Sequence, residues 1–286
     1  MSFCSKIFVY NKKLKGGKSL DKIAIISDVH GNISALTAVL NDIKKRNIDR
    51  IFCLGDCIVK CTHPDLVIDK LRESCEVILI GNCDYSICKP SSKGKDYWSR
   101  NIIGEERANF IASLPVSYEF YISGHLTRLF HATPFNLDGI YNPMFSNKHS
   151  KYDYLEIDNP DMLFENTKFI NKTKNDPVPD IVGFGHIHTP LLVRYKNKTI
   201  FNPGSVGIPV EMHNSDINDK TNKFSTVASY IVLEGYYGKK ELDSISFNSI
   251  RVPYDIKQEV EDLKNSDMPN KEVIIRTLTS AISNNI

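Results

Sequence analysis

The sequence predicts an α/β protein built around parallel strands, and three observations support that prediction. Short apolar runs alternate with amphipathic segments from Lys22 onward, in the order β-α-β-α-β. Polar residues beside glycines follow several of these runs, at intervals that fit one βαβ unit of about 30 residues. The 286 residues are 41% hydrophobic and 24% charged, which is typical of a globular protein.

The first three strands are predicted from apolar spacing and from the residues that bound them. Residues 23–26 form a continuous apolar run typical of a buried strand, and Asn32 is placed to cap the helix that follows. Residues 50–54 and 76–80 are the next predicted strands, separated by a helix that begins at Pro64. Right-handed crossovers would make the three strands parallel neighbours.

The second half of the chain is predicted to contain more strands than helices. We predict helices over residues 105–113 and 161–170, with a surface insertion over residues 136–160 between them. The predicted strands are residues 117–122, 126–132, 181–184, 191–195, 199–201, 228–234 and 244–252. Two further helices are predicted over residues 255–264 and 271–282.

These elements are expected to form one main domain with additions at both ends. Residues 1–20 contain five lysines and no acidic residue. We therefore interpret residues 1–19 as an extension that is either disordered or translated from a start site upstream of a true one at Leu20. Residues 20–254 are predicted to form the main domain, and residues 255–286 a C-terminal helical appendage.

Composition narrows the classes of partner. The net charge is +2, and the chain beyond residue 20 is slightly acidic, so the basic face of a nucleic-acid-binding protein is not expected. No apolar run is long enough to span a membrane, and we expect no membrane partner. The seven cysteines lack the spacing of a disulfide framework, which favours a cytoplasmic location.

The most informative polar residues come directly after predicted strands. They comprise two carboxylates, one amide and four imidazoles: Asp28, His30, Asp56, Asn82, His131, His186 and His188. Because parallel strands bring their carboxyl ends to one edge of a sheet, these side chains should lie close together. Each motif alone is more often a cap or a turn, but the ordered set predicts a metal site. Such ligands suit manganese, iron, zinc, cobalt or nickel.

These motifs resemble those of the calcineurin-like metallophosphoesterases, in particular their small bacterial and archaeal branch. The matching segments are residues 27–32, 55–56, 81–84, 131–134, 185–188 and 202–207. Residues 251–255 and the helices after them are similar to longer members, which include bacterial asymmetric diadenosine tetraphosphate hydrolases. The resemblance covers residues 22–283 and implies an αββα four-layer sandwich of the metallophosphoesterase type.

The resemblance also implies two divalent metal ions, with manganese expected first. The first ion would be held by Asp28, His30, Asp56 and His188, and the second by Asp56, Asn82, His131 and His186. A hydroxide between the ions would attack phosphorus, with Asp56 and Asn82 as catalytic residues. The implied activity is hydrolysis of phosphodiester or phosphoanhydride bonds, in dinucleoside polyphosphates for example.

Two departures from the family's protein phosphatases narrow the expected chemistry. Those enzymes carry an arginine soon after the Gly-Asp motif and a histidine after the Gly-Asn motif, whereas here residues 57–60 lack the arginine and Cys83 replaces the histidine. A cysteine of pKa ~8.5 is a poor proton donor to a leaving group. Substrates with good leaving groups, such as nucleotides or activated aryl groups, are therefore favoured.

Several assignments stay open. Asn32, Cys83 and Asp84 are candidate substrate-binding residues, and Lys60 or Arg128 could neutralise a substrate phosphate. The expected partner is a small phosphorylated substrate, a nucleotide in particular, and the C-terminal helices could support a homodimer. Two alternative functions are a non-catalytic interaction module on the same fold and a regulatory protein phosphatase.

Overall fold

A computed structural model describes residues 20–89, 94–141, 157, 159–211 and 223–283. Its strands are β1 (Asp21–Ile26), β2 (Arg50–Cys53), β3 (Val77–Ile78), β4 (Ser117–Ile122), β5 (His125–Phe130), β6 (Ile181–Gly183), β7 (Leu191–Tyr195), β8 (Lys198–Asn202), β9 (Val210–Glu211), β10 (Lys223–Phe224), β11 (Val227–Gly235) and β12 (Ser246–Pro253). Its helices are α1 (Ile33–Lys45), α2 (Pro64–Ser74), α3 (Asn82–Ile87), α4 (Gly94–Ala112), α5 (Ile256–Asn265) and α6 (Lys271–Ser283), with a 3₁₀ helix at Pro160–Phe164. The extension predicted over residues 1–19 and most of the insertion predicted over residues 136–160 lie outside the described residues.

Two five-stranded mixed sheets organise the fold. The first has the order β12-β11-β1-β2-β3, in which β1, β2 and β3 are parallel and β11 and β12 are antiparallel additions. The second has the order β4-β5-β6-β8-β7, in which β5, β6 and β8 are parallel. This arrangement confirms the predicted α/β sandwich, and it brings the loops after the parallel strands of each sheet to one edge.

The central strand β1 is buried on both faces. Ile23 and Ile25 pack with Phe52 in the cluster of apolar side chains that joins the two sheets. Ala24 and Ile26 alternate with them and belong to the cluster that covers the opposite face with helices. Burial on both sides explains why this segment is a continuous apolar run rather than an alternating one.

The extents of strand β3 and helix α4 differ from the prediction. β3 contains only Val77–Ile78 of the strand predicted over residues 76–80. Helix α4 begins at Gly94 rather than at Glu105, and its backbone is interrupted at Gly104, where φ is 71° and ψ is 178°. The break at Gly104 puts the apolar residues before and after it out of phase with a single helical repeat. The apolar spacing therefore predicted a helix only in the second half of α4.

Two smaller elements were predicted wrongly or not at all. The helix expected over residues 161–170 is only the 3₁₀ helix, whose last residue is Phe164. Beyond it, the Asn166 side chain donates to the carbonyl of Asp176 at 2.7 Å, a contact typical of a loop stabilised by side chains. The ladder between β9 and β10 was not predicted, because each strand has only two residues.

The C-terminal helices contact the loop that follows β2. The Nε2 atom of His63 lies 3.1 Å from Oδ2 of Asp262 on α5, and the Thr62 hydroxyl donates to Oε1 of Glu259 at 3.4 Å. Apolar side chains including Val260 and Leu263 form a separate cluster between α5 and α6. None of the helices in the described ranges combines the length and apolar character that a bilayer span requires.

Glu259 is a buried carboxyl in this contact. Its side chain is fully buried, and Oε2 has no hydrogen-bond partner. Burial raises the pKa of Glu259 to about 7, from 4.5. Between those pH values the folded protein retains a proton that the unfolded chain has lost. The contribution of Glu259 to the free energy of unfolding therefore falls as pH rises through this window and stays low above it.

We expect Glu259→Gln to stabilise the protein more at pH 8 than at pH 5, because glutamine carries no charge to desolvate. The difference between the two pH values should be on the order of 2 kcal/mol in the free energy of unfolding. Urea unfolding in the presence of chelator measures it, with Glu261→Gln on the exposed side of α5 as the control. An equal effect of Glu259→Gln at both pH values would contradict the assignment.

Candidate metal centre

The seven predicted ligands are brought together by loops after β1, β2, β3, β5 and β6. Five of them adopt left-handed backbone conformations, with φ between 52° and 67°: Asp28, His30, Asp56, His186 and His188. The described residues include thirteen non-glycine positions of positive φ, so this conformation is concentrated at the site. Such strain persists only where surrounding contacts enforce it, and it clusters at functional sites.

Backbone hydrogen bonds between the loops supply that enforcement. The amide of Asp28 donates to the carbonyl of Gly55 at 3.0 Å, and the amide of His30 donates to the carbonyl of Asp56 at 2.9 Å. Within the second sheet, the amide of Gly185 donates to the carbonyl of His131 at 2.7 Å, and between the two sheets the amide of His186 donates to Oδ2 of Asp28 at 3.0 Å. A Cβ atom at Gly185 would collide with the side chains of the loop after β1, so only glycine permits this approach.

Asp28, His30 and His188 form the first group of potential ligand atoms. The Nε2 atoms of His30 and His188 lie 3.0 Å apart. Oδ1 of Asp28 lies 3.3 Å from Nε2 of His188 and 3.8 Å from Nε2 of His30. Oδ2 of Asp56 lies 3.7 Å from Nε2 of His30 and extends this group. These distances are compatible with a shared cation.

Asp56 also belongs to the second group, with Asn82, His131 and His186. Its Oδ1 lies 3.4 Å from Nε2 of His131. Oδ1 of Asn82 lies 3.0 Å from Nε2 of His131 and 3.2 Å from Nδ1 of His186. The Asp56 carboxylate therefore lies between the two groups, with Oδ2 near His30 and Oδ1 near His131.

The donor atoms fit divalent cations. His131 donates from Nδ1 to the Leu54 carbonyl at 3.0 Å, and His188 donates from Nδ1 to the Ile208 carbonyl at 2.8 Å, which leaves both Nε2 lone pairs directed at the centre. Oδ1 of Asp28 is buried without a hydrogen-bond partner. The Asn82 oxygen faces only acceptors, a contact that a cation would stabilise, whereas a reversed amide would donate to them.

The two carboxylates remain ionised although they are buried. Burial opposes ionisation of Asp28, but His188, His131 and His30 lower its pKa below the usual range. Burial likewise opposes ionisation of Asp56, whose pKa is lowered to about 2 by His131 and His30. Both groups are therefore available as anionic ligands at neutral pH.

Burial has the opposite consequence for two of the imidazoles, because it lowers their pKa values. Burial lowers the pKa of His30 well below its usual value, and the Lys60 ammonium lowers it further. Burial and the neighbouring His131 lower the pKa of His186 to about 4. The pKa of His131 is raised by Asp56 against the effect of burial. A divalent cation between these side chains would favour neutral imidazole at all of these positions.

The structure leaves little surface for substrate at the three residues predicted to contact it. Asn32 is fully buried, accepts from the amide of Ala35 at 2.9 Å and donates to the carbonyl of Gly207 at 3.0 Å. Its predicted role as a helix cap is confirmed, and both polar atoms of its side chain have partners within the protein. Cys83 is 9% exposed, and burial raises the pKa of its thiol well above the usual value.

Asp84 has a structural role that its position in the motif did not reveal. It is fully buried and accepts hydrogen bonds from the amides of Cys57 at 2.9 Å, Ile58 at 3.2 Å and Gly81 at 3.1 Å. Burial and the charge of Asp56 raise its pKa to about 6. It therefore joins the loop of Asp56 to that of Asn82.

The two cations considered for substrate phosphate have different locations. Arg128 is fully buried in the second sheet, where it donates to Glu119 at 2.6 Å and to the Glu165 carbonyl at 2.8 Å, so it cannot meet a substrate. Lys60 is half-buried, and its Nζ atom lies 2.9 Å from Nε2 of His30. His186 is also partly exposed.

The chain is similar to known proteins over most of its length. Residues 22–220 match the sequence profile of the calcineurin-like phosphoesterase superfamily domain. An uncharacterized protein of Methanocaldococcus jannaschii is 30% identical over 273 residues, which cover 86% of this chain and 93% of that protein.

Two crystal structures share the fold. A metallophosphoesterase of Sphaerobacter thermophilus has a TM-score of 0.62 and 21% identity, covering 92% of this chain and 100% of that one. A hypothetical protein of Pyrococcus horikoshii has a TM-score of 0.64 and 17% identity, covering 91% of this chain and 98% of that one.

We expect Asp84→Ala to weaken both folding and metal binding, because it leaves three buried amides without an acceptor. The loss should be about 3 kcal/mol in the free energy of unfolding. Asp84→Asn keeps one acceptor oxygen and should lose less. Urea unfolding with chelator and calorimetric Mn²⁺ titration measure the two effects, with Asp49→Ala on an exposed loop as the control. Unfolding of Asp84→Ala at the wild-type urea concentration would contradict the structural role.

Proposed function

The chain belongs to the calcineurin-like phosphoesterase superfamily, and from that premise we propose that it hydrolyses phosphodiester or phosphoanhydride bonds with the help of two divalent metal ions. Manganese is the first metal to test, and iron, zinc, cobalt and nickel suit the same donors. The proposed substrates are small phosphorylated molecules, with dinucleoside polyphosphates among them.

One observation carries the proposal: lone pairs of six side chains from four other loops converge around the Asp56 carboxylate. Asp28, His30 and His188 form one group beside it, and Asn82, His131 and His186 form the other. A cluster of this kind serves poorly as a packing core, because acceptors without donors repel each other. Cations bound between these acceptor atoms would remove the repulsion, because each lone pair could then coordinate a cation.

The protein's own residues would perform three tasks in the reaction. Asp28, His30, Asp56 and His188 would hold the first ion, and Asp56, Asn82, His131 and His186 would hold the second. When bound, such a pair of ions polarises a phosphoryl group and lowers the pKa of water. The carbonyls of Leu54 and Ile208 keep two of the imidazoles in the tautomer that coordination needs. Burial of the carboxylates keeps the electrostatic field at the phosphoryl group strong.

The residue after Asn82 favours a good leaving group. Cys83 occupies the place of a potential proton donor, but burial raises its pKa well above the usual value. The thiol would therefore be a weak general acid toward the departing oxygen in the transition state. Nucleoside phosphates and aryl alcohols leave without such assistance, so nucleotide anhydrides and activated diesters are the proposed substrates, in preference to phosphoproteins.

We expect chelator-treated protein to hydrolyse diadenosine tetraphosphate to ATP and AMP when Mn²⁺ is restored, and to cleave bis-p-nitrophenyl phosphate alongside. Asp56→Asn should lower kcat/KM at least about 100-fold, because the bridging charge is lost. Nucleotide products are separated by anion-exchange chromatography, and p-nitrophenol is followed by absorbance. Asp49→Asn removes an exposed carboxylate outside the cluster and should retain wild-type rates.

Three outcomes discriminate among the functions. Cleavage of the aryl diester alone would support the metal-dependent hydrolase and reject dinucleoside tetraphosphates as substrates. Mn²⁺ binding without hydrolysis of either compound would favour a non-catalytic interaction module. Rates that are the same with chelator and with Mn²⁺ would reject the metal-dependent reaction altogether.

A further inference from the structure

Lys60 brings a positive charge to the first group of ligands. Its Nζ atom lies 2.9 Å from Nε2 of His30, within hydrogen-bond distance. His30 itself is fully buried, whereas Lys60 is half-buried. The ammonium has three hydrogens to donate and no lone pair, so in this contact the imidazole nitrogen must be the acceptor.

The lone pair that accepts from Lys60 is the one that a metal ion would use. Nε2 of His30 also lies 3.0 Å from Nε2 of His188 and 3.7 Å from Oδ2 of Asp56, inside the first group of ligands. An imidazole nitrogen has a single lone pair in the ring plane. Coordination of a metal ion by His30 therefore requires Nζ of Lys60 to move away.

The backbone holds Lys60 in this place at a conformational cost. Val59 and Lys60 are consecutive left-handed residues, with φ of 68° and 86°. A β-branched residue in this region is a rare outlier that surrounding contacts must enforce. The amide of Cys61 donates to the carbonyl of His30 at 2.8 Å, and Cys61 and Val59 are fully buried. The loop thus keeps its lysine beside His30 and does not leave it free in solvent.

Electrostatics makes the ammonium a competitor of a cation. The Lys60 ammonium contacts Nε2 of His30, which lies 3.7 Å from Oδ2 of Asp56, so its positive charge already stabilises the anionic carboxylate to which a metal ion would bind. It would also repel a divalent ion a few ångströms away. Both effects reduce the free-energy gain when the ion binds.

We propose that Lys60 competes with the first metal ion for His30 and so keeps that ion exchangeable. Lys60 is a positioning residue in this assignment, since it acts on the metal through His30 and the carboxylates. The inference rests on the proposed metal centre, but it concerns affinity and exchange and is independent of whether the protein hydrolyses any substrate.

The test measures Mn²⁺ binding by calorimetry and Mn²⁺ release into excess chelator for the full-length protein. Lys60→Met keeps a chain of similar length without charge, and we expect it to tighten one binding step roughly tenfold or more and to slow release. Lys60→Arg keeps the charge and a hydrogen-bond donor and should bind Mn²⁺ with affinity close to wild type. Lys44→Met removes a charge from an exposed position at the end of α1 and serves as the matched control.

Each result decides the proposal. Tightening in Lys60→Met alone supports competition for His30. Unchanged or weaker binding in Lys60→Met, with a wild-type urea unfolding curve, overturns it. Equal tightening in Lys60→Met and Lys44→Met also overturns it, because the effect would then come from net charge. If hydrolysis is absent but Lys60→Met binds Mn²⁺ more tightly, the proposed function fails and the competition stands.

Discussion

The central constraint on this structure is the burial of two carboxylates beside four imidazoles and one amide. Asp28 and Asp56 are removed from water almost completely, although isolated buried charges are strongly destabilising. Neighbouring histidines keep both carboxylates ionised, and yet several of the facing atoms are acceptors that can donate nothing. The fold must therefore hold mutually repelling groups in place, and much of the surrounding architecture serves that purpose.

The surrounding architecture meets this constraint through the backbone. The loops after different strands donate hydrogen bonds to one another, and buried side chains such as Asp84 connect loops that are distant in sequence. These contacts hold five of the predicted metal-ligating residues in left-handed backbone conformations. The site is rigid because no single loop can relax without breaking hydrogen bonds to its neighbours.

The sequence was informative where structure is local. Apolar runs, a capping asparagine and glycines at strand ends predicted the three parallel strands of the first sheet, because these signals depend on a few neighbouring residues. The contact of Lys60 with His30 could not be predicted, since it depends on positive φ values at two consecutive non-glycine residues, Val59 and Lys60. The burial of Asn32 and Asp84 was not predicted for another reason. The sequence of a motif does not show whether its polar side chain faces solvent or forms hydrogen bonds with the backbone of the protein. The break at Gly104 hid half of α4.

The order of the first sheet also has a consequence for how the protein is made. Central β1 pairs with β2 on one side and, through residues 21–25, with residues 231–235 of β11 on the other. During translation, β1 leaves the ribosome long before β11 does. His30 likewise emerges long before its partner His188, which is 158 residues later in the chain. The first half of the sheet is therefore exposed as an unfinished edge during most of translation. Such an edge can pair with another chain, which makes synthesis the period of greatest aggregation hazard for this fold.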